Sequence, residues 1–158
     1  MTTFWVLARS QVLCESDFEF VDHIAARVAQ DQPITIVDAG ANIGLASILL
    51  AQVCGHRCQI LAIEASPATS RLAVMNTRQL RGKVQVIQAA LVSNIQASSH
   101  SHVAMVGKPH HESSWRLKSV AGSSDANVVH FSVATTTLTQ LQVRHFAQMA
   151  CFHRELCE

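Results

Sequence analysis

The chain is poor in charge and in rings: 15% of its 158 residues are charged, 5% are aromatic, and tyrosine is absent. A net charge of +1 with scattered basic residues argues against a nucleic-acid reader and against a trap for acidic substrates. So few aromatics leave little for a base-stacking surface, so no nucleic-acid partner is expected. No apolar run approaches the roughly 20 residues of a membrane-spanning helix, so no membrane partner is expected either. The N-terminus, Met1-Thr-Thr-Phe-Trp-Val-Leu-Ala-Arg9, has no basic residue ahead of its apolar part and does not read as a signal peptide. The expected location is cytoplasmic. No repeat of about 20–50 residues is visible, and no linker divides the chain. One domain over residues 1–158 is expected, with 49% apolar residues to fill a core.

Disulfide-framework spacing is also lacking. The five cysteines are Cys14, Cys54, Cys58, Cys151 and Cys157. An odd count without such spacing predicts reduced thiols in a reducing compartment. In Cys54-Gly-His-Arg-Cys58 a metal ion would need further ligands. The plainer reading is a turn between a helix and a strand with incidental thiols, and no metal is expected.

The most informative stretch is Ile34-Thr-Ile-Val-Asp-Ala-Gly-Ala-Asn-Ile-Gly-Leu-Ala-Ser-Ile-Leu-Leu50. A β-branched run reads as a buried strand over 34–37. An acid and two glycines follow, then apolar residues at helical spacing (Ile43, Ala46, Ile48, Leu49, Leu50). Strand, glycine turn and helix form a nucleotide-type binding unit. Gly55 closes that helix. Gln59–Ile63 reads as a second strand ending at Glu64. Ser66 and Pro67 are suited to cap and open a helix running to about Leu80, ended by Gly82. Val84–Val92 reads as a third strand. Residues 34–92 are therefore β-α-β-α-β, which implies parallel strands with right-handed crossovers.

Outside that core the pattern is less regular. Residues 4–14 are apolar without a clear period. Asp17–Ala29 fits one face of a helix through Phe18, Val21, Ile24, Ala25 and Val28. Asn94–Ser101, Lys108–His111 and Gly122–Asn127 read as loops. His102–Val106 reads as a short strand and Val128–Ala134 as another. From Thr137 onward the apolar residues recur at mostly helical spacing.

Charge discriminates between ligands for the turn. Gly40 and Gly44 let the backbone approach a ligand closely, with Asn42 where a dinucleotide fold usually has its second glycine. A dinucleotide sets a pyrophosphate on such a turn, and Asp38 beside it would repel the anion. S-adenosyl-L-methionine has no phosphate, and its sulfonium and amino groups are positive. Glu64 at the end of the second strand is placed to accept from ribose hydroxyls. Gln88-Ala89-Ala90 would border the adenine. Singly, Asp38 can be a cap, Glu64 a solvated strand end, and the glycines a packing turn. Their conjunction at matching strand ends carries the argument.

Val37-Asp-Ala-Gly-Ala-Asn-Ile-Gly44, Ala62-Ile-Glu-Ala-Ser-Pro67 and Val84-Gln-Val-Ile-Gln-Ala-Ala-Leu91 resemble the FkbM family of S-adenosylmethionine-dependent methyltransferases. Asp-x-Gly-Ala-Asn-x-Gly is that family's usual form. The second motif resembles its Glu-Pro-x-Pro, with Ala65 in place of the first proline. Val133-Ala-Thr-Thr-Thr-Leu138 resembles its short strand and Thr-Leu, and Ser113-Ser114-Trp115 a serine-bearing insert. The resemblance covers roughly residues 15–142. It implies an α/β, class I methyltransferase, Rossmann-like parallel sheet with strand order 3-2-1 and a short-strand insert. Asp38, Gly40, Asn42 and Gly44 would line the methionine end of the cofactor, Glu64 would hold the ribose, and Ala89 would lie by the adenine. The implied reaction is O-methyl transfer to a small-molecule or sugar hydroxyl.

The family's Asp-x-Glu-Gly segment on a fourth core strand does not follow the Thr-Leu. The expectation is therefore an incomplete sheet with the strand over 34–37 at an open edge, an aggregation hazard. A C-terminally truncated chain and a shortened, non-catalytic cofactor- or partner-binding relative both fit. A nicotinamide-dependent oxidoreductase fits less well, given Asp38 and the missing Gly-x-Gly-x-x-Gly. Methyl transfer can rest on proximity and alignment. An alcohol acceptor gains from a general base, often histidine, but no motif singles out His100, His102, His110, His111, His130, His145 or His153. No catalytic residue is assigned.

Overall fold

The computed structural model describes residues 3–8, 22–26, 34–80, 82–93, 102–107, 116–117 and 129–143. In chain order these form β1 (Thr3–Ala8), α1 (22–26), β2 (Ile34–Ala39), α2 (Leu45–Cys54) and β3 (Cys58–Glu64). Then come α3 (Pro67–Asn76), β4 (Val84–Gln88), β5 (Ala90–Leu91), β6 (His102–Gly107), β7 (Arg116–Leu117), β8 (Val129–Thr136) and α4 (138–143). One-turn 3-10 helices follow α2 (Gly55–Arg57) and α3 (Arg78–Leu80).

The first sheet has the order β1-β2-β3-β4, all parallel. Its last three strands are the expected β-α-β-α-β core in the expected order, and the fold is α/β and Rossmann-like. A monotonic strand order with right-handed crossovers puts the connecting helices on one face. Ile24 of α1 and Leu50, Ala51 and Cys54 of α2 accordingly pack on Ile34, Ile36, Ile60, Ala62 and Val84. Strand alternation sends Val37, Leu61 and Ile63 to the other face, where Leu141 of α4 meets them.

The open edge expected at 34–37 is not present. β1 pairs with β2 along its whole length, from Thr3 with Ile34 to Ala8 with Ala39. Thr3–Ala8, most of it within the segment read as apolar without a period, thus supplies the flanking strand. A short apolar run cannot be told as strand or helix by periodicity alone. The third strand is also not continuous. It breaks at Ala89, whose N–H donates to the Glu64 carbonyl at 3.1 Å. Past that break the chain joins a second sheet of order β5-β8-β6-β7. β5 runs parallel to β8, and β6 is antiparallel to both β8 and β7. The strands expected near 102–106 and 128–134 are β6 and β8, the latter two residues longer at its end.

α3 stops at Asn76 rather than Leu80, because Thr77 closes the helix through its N–H to Ala73 and Met75 carbonyls. The loops expected at Asn94–Ser101, Lys108–His111 and Gly122–Asn127, the Ser113-Ser114-Trp115 match, and most of the N-terminal helix and the C-terminal tail lie outside the described residues. Cys54 and Cys58 correct another expectation. They form a disulfide with a Cα–Cα separation of 5.5 Å, instead of standing as reduced thiols. The 3-10 turn between them brings the end of α2 and the start of β3 within the range that a disulfide spans.

Candidate functional site

The six residues singled out by sequence converge on one end of the first sheet, where the parallel strands finish. Such an end is where open α/β sheets bind ligands. Gly40 adopts φ +78°, Asn42 φ +52° and Gly44 φ +84°. Three left-handed residues in five fold the turn tightly back over β3. The N–H groups of Gly40 and Ala41 donate to the Ile63 carbonyl at 2.9 and 3.0 Å, and Gly44 N–H donates to the Ala41 carbonyl at 2.9 Å. Asn42 N–H donates to Glu64 Oε2 at 2.9 Å. Four of the turn's N–H groups are therefore spent within the protein.

Glu64 is a clasp between two loops. Its other oxygen, Oε1, accepts from Ser66 N–H at 2.8 Å. Two of roughly four lone-pair sites of the carboxylate are used, and two stay available. Ser66 in turn caps α3, its Oγ accepting from Thr69 N–H at 3.3 Å and Thr69 Oγ1 at 2.7 Å. Pro67 opens the helix, as its sequence position predicts.

Asp38 is fully buried (0% exposed) beneath the turn, and its Oδ2 accepts from Ser47 Oγ at 2.6 Å. Ala89 is likewise buried, and its amide ties the break between β4 and β5 to the end of β3. It forms part of the wall behind the turn.

Two supporting residues escaped the sequence reading. Asn76, at the end of α3, donates from Nδ2 to the Ile43 carbonyl at 2.8 Å and tethers the turn from outside. Ser47 sits on the buried stripe of α2 with Leu50, Ala51 and Cys54. A lone hydroxyl on an apolar stripe was a legible signal, because a buried polar group needs a partner. Gly44 is needed twice over. Its φ favours glycine, and a Cβ there would lie 3.2 Å from Thr77 Cγ2 and 3.4 Å from Ala73 Cα. The turn entering α2 lies close against the C-terminal end of α3 because that position is bare.

Four of the turn's N–H groups are bonded within the protein, and carboxylates stand before and behind it. That charge disfavours a phosphate and favours a cation with neighbouring hydroxyls. Among the described residues no cluster of three or more histidine, cysteine, aspartate or glutamate side chains is arranged to hold a metal. Of the described histidines, His56 lies in the turn entering β3, at the opposite end of the strand from Glu64. No helix among the described residues is long and apolar enough to cross a membrane.

No protein-family model matches the chain, and no curated protein matches it. Among solved structures it is similar to a protein-L-isoaspartate O-methyltransferase, at 17% identity and a TM-score of 0.37, over 45% of this chain and 23% of that one. The chain thus spans about a quarter of that protein's length, and the similarity concerns the fold alone.

Proposed function

We propose that the chain is the cofactor-binding portion of an S-adenosyl-L-methionine-dependent methyltransferase, with FkbM-like character. The observation that carries this reading is the chemistry of the turn. Gly40, Ala41, Asn42 and Gly44 have no N–H left for a pyrophosphate, while Asp38 and Glu64 bring negative charge to the same end of the sheet. A dinucleotide would meet repulsion there. A phosphate-free cofactor with a sulfonium and an amino group would meet attraction.

Bound there, the cofactor supplies an electrophilic methyl group for in-line transfer to a nucleophile. Gly40, Asn42 and Gly44 shape the seat for its methionine end. Glu64 has acceptor sites left for the two ribose hydroxyls while it keeps the turn closed. Asp38 contributes its field from below. Ala89 and the break beside it bound the adenine side. The acceptor we propose is a small-molecule or sugar hydroxyl, in line with the FkbM-like motifs; such a transfer draws mainly on proximity and alignment.

Calorimetric titration of the full chain with S-adenosyl-L-methionine and with NAD tests this reading. Saturable binding of the first and no heat with the second is expected. Binding of NAD alone overturns it.

A further inference from the structure

We propose that the starting ends of β3 and β4 form a binding site for a small polyhydroxylated monocarboxylate. A cavity of about 330 Å³ opens there, lined by Gln59 of β3 and by Gly82, Lys83 and Gln85 around the start of β4. Ile60 pairs with Val84 and Leu61 with Gln85, and Ile60 N–H donates to the Lys83 carbonyl at 2.7 Å. That register sets Gln59 beside Lys83, and strand alternation puts Gln59 and Gln85 on the face of Leu61. Ile60, Leu61 and Val84 also border the cavity but are themselves buried. The surface that meets a ligand therefore belongs mainly to the other four residues. β4 is the last strand of its sheet, so the cavity lies at a sheet edge.

The lining selects the ligand. Lys83 brings one positive charge and three donors, and each carboxamide brings a carbonyl acceptor and an NH₂ donor. Among the described residues, neither the Lys83 ammonium nor the two carboxamides has a hydrogen-bond or ion-pair partner. No acidic residue lines the cavity. One ammonium matches one carboxylate. The two amide carbonyls call for donors on the ligand, which hydroxyls supply and a phosphate dianion does not. The volume lies at the lower end of small-molecule sites. At Gly82 a Cβ would meet nothing within 4 Å, so the rim is open on that side. β3 runs from this cavity to Glu64. The site is thus at the far end of the strand from the glycine turn, and it does not rest on the cofactor reading.

The test titrates the full, isotope-labelled chain with gluconate, sorbitol and inorganic phosphate. Backbone amide and glutamine side-chain amide resonances are followed by NMR. Gluconate should give saturable shifts at Gln59, Gly82, Lys83 and Gln85. Sorbitol has the hydroxyls without the carboxylate, and should bind at least about tenfold more weakly. Phosphate has the charge without the hydroxyls, and should also bind more weakly than gluconate. Lys83→Met keeps the stem and removes the charge, and should lower gluconate affinity by about tenfold or more. Gln85→Glu sets a negative charge against the carboxylate and should also weaken it. Gln85 is exposed, so this variant reads the site even where Lys83→Met disturbs the strand. An absence of gluconate shifts at the four residues overturns the inference. So does sorbitol or phosphate binding as tightly as gluconate, or a gluconate affinity unchanged in either variant.

Discussion

Removal of the Glu64 carboxylate probes the clasp that shapes the site. It holds Asn42 N–H at 2.9 Å and Ser66 N–H at 2.8 Å, which belong to the loops after β2 and β3. Hydrogen bonds to a charged acceptor contribute roughly 1.5–3 kcal/mol each. The Asn42 end is exposed and water can replace it, whereas the Ser66 end is partly buried. Glu64→Ala should therefore cost about 2–3 kcal/mol in all, mostly from the Ser66 side. For a domain of this size that corresponds to a fall in Tm of roughly 5–10 °C. Glu64→Gln keeps one carbonyl acceptor but turns an amide donor toward the other N–H, and should fall between the two. Thermal unfolding followed by circular dichroism gives both numbers, and titration with S-adenosyl-L-methionine gives the accompanying loss of affinity. A Glu64→Ala protein within about 0.5 kcal/mol of wild type, the range of an ordinary surface change, would refute the clasp.

Gly44→Ala places a Cβ 3.2 Å from the buried Thr77, whose Oγ1 is bonded to the Ala73 carbonyl at 2.8 Å. The left-handed backbone alone costs an L-residue roughly 1–2 kcal/mol, and the crowding against Thr77 adds to it, so a drop in the urea midpoint larger than that backbone cost is expected. Ser66→Ala removes the α3 cap and should cost about 1 kcal/mol in denaturant unfolding. Reduction of Cys54–Cys58 opens a short loop and should lower stability by about 2 kcal/mol on the chain-entropy scale. A scan with and without thiol reductant, alongside a thiol count, checks that value.

The β2–β4 core was legible because its signals are local and mutually consistent. β-Branched runs, glycine turns and the Ser66-Pro67 helix start each mark an element end. The turn was legible for the same reason: Asp38, Gly40, Asn42, Gly44 and Glu64 sit at matching strand ends, and the structure gathers them. β1 was not legible, since a short apolar segment has no period that separates strand from helix and its pairing depends on a partner some 30 residues away. The break at Ala89 was hidden because the residues on both sides suit a strand, while the cause is one long-range bond to the Glu64 carbonyl. The burial of Asp38 was also out of reach, because it depends on how α2 lies over β2. The disulfide was missed by reasoning from the count of cysteines rather than from the turn that joins two of them.

Amide chemical-shift mapping with S-adenosyl-L-methionine tests the seat of the cofactor most directly. The account predicts saturable shifts concentrated at Gly40–Gly44, Glu64–Ser66 and Ala89, with β6 and β8 unchanged. Shifts confined to the second sheet, or a spectrum unaltered at saturating cofactor, would contradict it.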